Sequence, residues 1–358
     1  MVRMSGVTLD KIVKRYGSTV AVDDVSLNIK EGEFLTLLGP SGCGKTTTLR
    51  LISGFIQPTS GAIHFGEKDV TGIAPQHRQI GMVFQDYALF PHLTVSENIS
   101  FGLVERKYEK HAIKERVDEL LALIKLENAA ERYPSEISGG QAQRVAVARA
   151  VAHPPSVLLM DEPLGALDLK LRETMQIELR RIQQELGITA VYVTHDQSEA
   201  MNMSDRIVVM NSGVIEQIGS PKDIYTNPQS VFVANFIGQV NILNCHVVKN
   251  DRETTELNYQ DNKILTRSSN KLRTRTKIHL AIRPEDIKIT SKPSTKSQNS
   301  LKGIVSEALF SGNVMKISVS IDGGDIVKVE CPPKANSFVS GDQVHVNWMP
   351  EDCNILLV

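Results

Sequence analysis

Along residues 1–238, short runs of consecutive apolar residues alternate with longer stretches whose apolar positions recur every three or four residues. Glu33-Phe34-Leu35-Thr36-Leu37-Leu38, Val157 to Met160, Thr189 to Val193 and Ile207 to Met210 are such runs. They lack the every-second-residue alternation of a half-exposed strand. They predict strands buried on both faces, as in a parallel sheet covered by helices. Ile113, Val117, Leu120, Leu121 and Ile124 fall at helical spacing, and Leu171, Met175, Leu179, Ile182 and Leu186 form a second stripe. Each predicts an amphipathic helix. Asn211-Ser212-Gly213 predicts a tight hairpin between two strands.

The pattern changes near Gly238. Beyond it helical periodicity nearly vanishes, and short alternating segments take over: Lys277 to Ile282, Val314 to Ile321, Ile326 to Cys331 and Val344 to Trp348. Asp322-Gly323-Gly324 and Ser340-Gly341-Asp342 punctuate them as turns. This predicts a small all-β domain, a barrel. The expected division is therefore 1–238 and 239–358. Ser291 to Ser300 is polar, contains Pro293, and reads as a mobile loop. Lys271, Arg273, Arg275 and Lys277 alternate and read as the solvated face of a strand.

Composition narrows the classes. A chain of 358 residues fits about two domains at the usual domain size. With 40 Lys+Arg against 41 Asp+Glu the formal charge is −1, which argues against nucleic acid binding by bulk charge and leaves a local phosphate site open. Cys43, Cys245, Cys331 and Cys353 are scattered without a CxxC, so neither a zinc site nor a disulfide framework is expected, and a reducing compartment fits. Met1 to Gly17 lacks the apolar core of a signal peptide. No apolar run approaches the ~18 residues of a membrane-spanning helix.

The chemistry enters at Gly39-Pro40-Ser41-Gly42-Cys43-Gly44-Lys45-Thr46, followed by Thr47. It fits G-x-x-x-x-G-K-[ST] between a predicted strand and a helix starting near Thr46, the context that motif requires. The glycines let successive backbone N–H groups face phosphate oxygens, and the helix N-terminus adds its dipole. Lys45 supplies charge to the β/γ-phosphates and Thr46 a hydroxyl to Mg²⁺. Cys43 within this loop is expected to act through its backbone, with a reactive thiol as the alternative. The strand ending at Met160 runs into Asp161-Glu162-Pro163. Asp161, at the carboxyl end of a parallel strand, is placed for the Mg²⁺ shell, and Glu162 to orient or deprotonate an attacking water.

Ile137-Ser138-Gly139-Gly140-Gln141, followed by Ala142 to Ala150, resembles the LSGGQ signature of ABC-type ATPases, with Ile137 for the usual Leu. The glycines open a helix on which Ser138 and bare N–H groups can face an anion. Further motifs of that family follow the same order along Gly6 to Gly238. Tyr16 matches the aromatic that stacks on adenine, and Gln85, after Gly81 to Phe84, the Q-loop glutamine near Mg²⁺ and water. Asp168 in Gly165-Ala166-Leu167-Asp168 matches the D-loop. His195 matches the switch histidine at the γ-phosphate. The resemblance implies a P-loop ABC ATPase domain, α/β with a mixed sheet and a helical subdomain at about 86–160. It also implies a head-to-tail homodimer that traps ATP, with Lys45, Thr46 and Asp161 from one copy and Ser138 and Gly140 from the other. The apolar cluster Phe84, Tyr87, Leu89, Phe90 and Pro91 is then divided between core and a docking surface for a membrane subunit.

Ile282-Arg283-Pro284-Glu285-Asp286, Phe310-Ser311-Gly312 and Asn347 to Asp352 resemble the C-terminal TOBE-like, OB-like barrel of bacterial importer ATPases of the maltose, iron and polyamine type. Phe232 to Gly238 with Asn241 looks most like the polyamine branch. The resemblance implies an ATP-binding subunit on the cytoplasmic face of the inner membrane, working with two integral-membrane permease subunits and, through them, a solute-binding protein. Spermidine/putrescine or a related organic cation is the expected cargo. Iron, thiamine, opine, aminophosphonate or sugar import are the alternatives, and a soluble ATP-switched regulatory module is the other class. The barrel's expected role is dimerisation or regulation.

Overall fold

A computed structural model describes residues 5–251, 254–267, 272–293, 299–335 and 338–357. The chain divides into two compact units, Met1–Ile224 and Tyr225–Val358. The first contains β1 (Val7–Tyr16), β2 (Thr19–Ile29), β3 (Phe34–Leu38), α1 (Lys45–Ser53), β4 (Ser60–Phe65), β5 (Lys68–Asp69) and β6 (Ile80–Val83). Then come α2 (Val95–Glu105), α3 (Lys110–Leu123), α4 (Gly139–Ala152), β7 (Val157–Asp161), α5 (Leu169–Leu186), β8 (Thr189–Thr194), α6 (Gln197–Met203), β9 (Arg206–Asn211) and β10 (Val214–Gly219). Among the described residues no helix is long and apolar enough to cross a membrane.

The six-stranded sheet of this unit has the order β10-β9-β3-β8-β7-β6. It is parallel except for β10, which returns from β9 through the Ser212-Gly213 turn, both at positive φ. The continuous apolar strands follow from burial on two faces. On one face Leu35, Leu37, Val157, Leu159, Val191 and Val193 pack with α1 and with β1, β2 and β4. On the other Phe34, Leu158, Met160, Ala190 and Tyr192 pack with α2, α4 and α5. The second, antiparallel sheet, β2-β1-β4-β5, carries no strong run in the sequence pattern because β1 and β2 are half exposed and repeatedly shift register. The helices within 86–160 lie between Val95 and Ala152, and β7 belongs to the six-stranded sheet.

The second unit begins with the end of α7 (Pro221–Thr226) and α8 (Val231–Phe236). It continues with β11 (Asn241–Asn250), β12 (Thr254–Tyr259), β13 (Asn262–Arg267), β14 (Lys277–Ile282), β15 (Lys288–Thr290) and β16 (Asn299–Ser311). It ends with β17 (Val314–Ile321), β18 (Ile326–Cys331), β19 (Gln343–Trp348) and β20 (Cys353–Leu357). Two antiparallel five-stranded sheets, β13-β12-β11-β14-β20 and β15-β19-β16-β17-β18, wrap one apolar core that includes Leu257, Leu280, Val319 and Trp348. Two buried asparagines join the sheets. Asn241 donates to Lys328 O (2.8 Å) and accepts from Lys328 N (2.7 Å), while Asn299 does the same with Leu265 (2.8 and 2.7 Å). A side-chain amide thus supplies the donor and acceptor of a missing strand neighbour, closing an OB-like barrel without continuous pairing.

Arg283 explains why the second unit begins before Gly238. Its guanidinium donates to the carbonyls of Tyr225, Ala234 and Gln239, and lies 4.3 Å from the Tyr225 ring centre. Residues 225–239 are thereby pinned to the β-rich unit. One expectation needs correction. The alternating basic stretch is not a strand face: β14 starts only at Lys277, and Arg273 and Arg275 lie in the turn before it, Arg275 at φ 67°. The reason is that β11 pairs with β14 only as far as Lys277. Lys271 and residues 294–298 of the expected loop lie outside the described residues.

Candidate nucleotide site

β3, β8, β7 and β6 are parallel neighbours, so their carboxyl ends share one sheet edge. From that edge emerge the Gly39 loop after β3, His195 after β8, Asp161 and Glu162 at the end of β7, and Gln85 two residues past β6. Open α/β sheets bind ligands at this edge because loops there converge and helix N-termini point toward it.

The loop Gly39 to Gly44 leads into α1. Gly44 caps the helix at φ 106°, a left-handed position, and a Cβ there would lie 2.6 Å from Ala21 O of β2. Only glycine meets both constraints. Lys45 is buried, and its ammonium donates to the carbonyls of Gly39 (2.8 Å) and Pro40 (2.9 Å). The loop is thus wrapped around its own lysine. Ser41 and Gly42 are exposed at the loop tip. Cys43 is 3% exposed, with its sulfur 3.8 Å from Lys45 Nζ. Burial pushes its thiol above the ordinary value, with Lys45 pulling the other way, which disfavours the reactive-thiol alternative.

Thr46 donates its hydroxyl to Asp161 Oδ1 at 3.2 Å, while Thr47 is half-buried beside it on α1. Burial raises the Asp161 carboxyl, with the Thr46 hydrogen bond opposing. Glu162 sits at φ 45°, a strained position for a residue with a side chain, where its N–H donates to Val193 O at 3.0 Å. His195 Nδ1 is 3.1 Å from Glu162 Oε2, and the imidazole is exposed. Gln85 is exposed, its amide nitrogen facing Gly165 in the segment after Glu162. Tyr16 ends β1, half exposed, with Lys14 Nζ 5.0 Å above its ring.

Ser138, Gly139, Gly140, Gln141 and Asp168 stand apart. Ser138 accepts from Gln141 N (3.3 Å), and Gln141 Oε1 accepts from Ser138 N (2.8 Å), a capping box that opens α4. Gly140 lets α4 meet α5, since a Cβ there would lie 2.9 Å from Leu171 Cδ1. Asp168 caps α5 by accepting from Leu171 N at 3.1 Å. Among the described residues no hydrogen bond joins these groups to the Gly39–Thr46 loop.

Sequence reasoning missed three arginines that hold this arrangement, Arg78 buried and Arg149 and Arg172 half-buried. Arg78, 2% exposed, donates to the carbonyls of Leu51, Ile52, Thr71 and Ile73, and so caps the far end of α1. Arg149 of α4 donates to Tyr87 O (2.9 Å) and Ala88 O (2.6 Å), both residues at positive φ, and lies 5.5 Å from the Phe90 ring centre. Arg172 of α5 donates to Leu167 O and Asp196. None has a sequence signal of its own, because each also bonds a segment remote in the chain: Leu51 and Ile52 for Arg78, Tyr87 and Ala88 for Arg149, and Asp196 for Arg172. Of the apolar cluster, Tyr87 and Leu89 pack on the core. Phe84 and Phe90 instead line a surface groove with Ala88, Phe101, Arg149 and His153.

Residues 22–165 match the family described as ABC transporter, and residues 280–356 that described as TOBE domain. The chain is 46% identical over 357 residues to the spermidine/putrescine import ATP-binding protein PotA of Thermobifida fusca (strain YX), covering 98% of this chain and 93% of that one. It is 44% identical over 357 residues to the protein of the same name from Legionella pneumophila (strain Paris), covering 96% of each. Among solved structures it resembles cbiO1 from Clostridium perfringens, part of the ABC transporter complex cbiONQ (TM-score 0.59, 33% identity, 62% of this chain and 91% of that one). It also resembles the ATP-binding cassette MJ0796 in a dimeric post-hydrolysis state bound to ADP and Pi (TM-score 0.52, 34% identity, 60% of this chain and 98% of that one).

Proposed function

Because the chain belongs to the ABC transporter ATP-binding family, with a C-terminal TOBE domain, we propose that it is the ATPase that drives polyamine import, of spermidine, putrescine or both. The observation that carries the ATPase reading is the convergence of Lys45, Thr46, Asp161, Glu162 and His195 on one sheet edge. The cargo reading is supported by the relatives' names over nearly the whole chain.

Phosphoryl transfer to water needs positioning and charge neutralisation. In the proposed site the Gly39–Thr46 loop and the α1 N-terminus receive the phosphates. Lys45 then exchanges its two loop carbonyls for phosphate oxygens. Thr46 and Asp161 present only oxygen donors, 3.2 Å apart, and this set suits Mg²⁺, a hard ion that takes few protein ligands. Mg²⁺ supplies charge neutralisation at the phosphate oxygens when bound. Glu162 accepts a proton from the attacking water, and His195, in contact with Glu162, orients it toward the γ-phosphate. Gln85 contributes from the β6 side and Tyr16 offers a ring to the adenine.

Ser138, Gly139, Gly140, Gln141 and Asp168 act on the nucleotide of a second copy. This reading is supported by the solvent-facing α4 N-terminus at Ser138 and Gly139, which among the described residues makes no hydrogen bond to the Gly39–Thr46 loop. In this reading the groove lined by Phe84, Phe90 and Phe101 receives a membrane permease subunit, and the protein works peripherally, at the cytoplasmic face of the inner membrane. A solute-binding protein delivers cargo to the permeases. The proposed functional boundary between ATPase and TOBE parts lies near Gly238.

Glu162→Gln is expected to bind ATP with unchanged affinity, to form a stable ATP dimer, and to hydrolyse it roughly a hundredfold or more slowly. Hydrolysis at the wild-type rate removes Glu162 from the role of base. For the cargo, ATPase activity of the complex with its permeases and solute-binding protein is measured against each solute. Stimulation by spermidine or putrescine is expected, and stimulation by ferric iron or thiamine alone overturns the assignment.

A further inference from the structure

Arg172 lies in the first turn of α5, four residues past Asp168. Its Nη2 donates to Leu167 O at 2.9 Å, and its Nη1 to Asp196 Oδ2 at 3.1 Å. Leu167 is the last residue before Asp168, and Asp196 directly follows His195. One planar guanidinium therefore ties the segment proposed to meet the second copy to the segment proposed to meet the γ-phosphate.

The His195 side of this tie is itself rigid. Asp196 Oδ1 accepts from Ser198 N (2.7 Å), Ser198 Oγ (2.6 Å) and Glu199 N (3.2 Å), while Asp196 N donates to Thr194 Oγ1 (2.9 Å). Beneath it Glu199, 3% exposed, accepts from the hydroxyls of Thr194 (2.6 Å) and Tyr192 (2.7 Å). The residues on both sides of His195 are thus held, while the imidazole itself stays exposed toward Glu162. The arginine keeps one bond in reserve. Its Nε is buried without a hydrogen-bond partner among the described residues, and Glu199 Oε1 is 3.9 Å away.

Folding alone accounts poorly for this arrangement. α5 already has its cap from Asp168 and its apolar stripe of Met175, Leu179 and Ile182 in the core. A half-buried ion pair is weak support for stability, because desolvation offsets much of its attraction. A planar fork bonded to two separate loops does set their relative position.

We propose that Arg172 is a positioning residue for ATP hydrolysis, which holds His195 against Glu162 in register with the Leu167–Asp168 turn of the interface to the second copy. The proposal rests on the reading of Glu162 and His195 given above and deepens it. It assigns to this chain the physical link by which engagement at Asp168 reaches the hydrolytic pair. Arg172 touches no reacting atom in this account, so it acts on turnover and not on nucleotide affinity.

The test uses the full-length protein and steady-state ATPase kinetics. Arg172→Met keeps an unbranched apolar stem and removes both bonds. The expected result is a roughly tenfold lower kcat with KM for ATP within about twofold of wild type. Arg172→Lys retains the charge and cannot form the fork, and a kcat at least about threefold lower is expected from it. Asp196→Asn combined with Arg172→Met is expected to be no slower than the slower single variant, since both break one link. A kcat within twofold of wild type in Arg172→Lys and Arg172→Met overturns the proposal, as does a loss carried by KM. Should Arg172→Met fail to fold, Arg172→Lys decides alone. Glu162→Gln and His195→Ala are measured in parallel. If they are inactive while the Arg172 variants are not, the link fails and the site reading stands. If they hydrolyse ATP like wild type, the site reading itself fails.

Discussion

Two helix N-termini in the first unit use nearly the same materials and end in opposite situations. Before α1, a glycine-rich turn folds back until Lys45 is buried and bonded to Gly39 and Pro40, with Thr46 bonded to Asp161 of another strand. Before α4, Ser138 and Gly139 lie at the surface, Gly140 is buried against Leu171, and Ser138 and Gln141 form a local capping box. The first end is completed by its own chain, which supplies a lysine, a hydroxyl and a carboxylate. The second has the N–H groups and the dipole but no counterpart. The difference teaches that an anion site needs more than an exposed helix end. On the reading proposed above, the α4 end is half of a site that a second copy completes.

The comparison breaks most visibly at Lys45. Lys45→Ala is expected to remove nucleotide binding and to lower ATP hydrolysis by roughly a hundredfold or more, because no other cation lies inside the loop. Equilibrium binding of a fluorescent ATP analogue and phosphate release measure it. Ser138→Arg at the other end is expected to abolish hydrolysis while leaving binding of the analogue intact. Mixing the two inactive variants sharpens the contrast. Head-to-tail pairing leaves one intact composite site in each mixed dimer, so activity is expected to return to about a quarter of the wild-type rate. No recovery would mean that both ends serve nucleotide in the same chain.

A smaller effect is expected at Gly140. Gly140→Ala pushes a methyl against Leu171, and overpacking of this kind costs about 1–3 kcal/mol. The thermal midpoint should fall, and Leu171→Ala in the same chain should recover part of the loss. The smallest effect concerns Cys43. Its burial and raised pKa predict slow alkylation at neutral pH, slower than at the half-buried Cys331. Peptide mapping after mild maleimide treatment checks this. Rapid modification of Cys43 would show that the loop is more open than its lysine-centred packing implies.

Much of the fold was legible because local rules and tertiary structure agree. The runs at Phe34–Leu38, Val157–Met160 and Thr189–Val193 are apolar throughout, since both faces of their sheet are covered, and each is found as a strand. The stripe Leu171 to Leu186 is α5. The antiparallel sheet β2-β1-β4-β5 was not anticipated, because its half-exposed, bulged strands blur the alternation that reveals a strand. The basic alternation around Arg273 misled in the reverse sense, since period-two charge also occurs in a turn. The barrel was legible as a set of strands. Its closure was not, because Asn241 and Asn299 look like surface polar residues until their acceptors on β18 and β13 are known.

The sequence by itself determined the buried strands of the six-stranded sheet, the passage from an α/β to an all-β pattern, and the glycine-rich loop that ends in Lys45 and Thr46. These are local properties, set by the spacing of apolar residues and by glycines that permit particular backbone turns. Tertiary structure alone decided which side chains meet. It brought Thr46 to Asp161 and Glu162 to His195, separations of 115 and 33 residues. It also placed Arg78 and Arg149 on carbonyls far away in the chain, and Arg172 on the Asp196 carboxylate. A hydrogen bond depends on distance and direction, and between remote residues only the folded chain sets those.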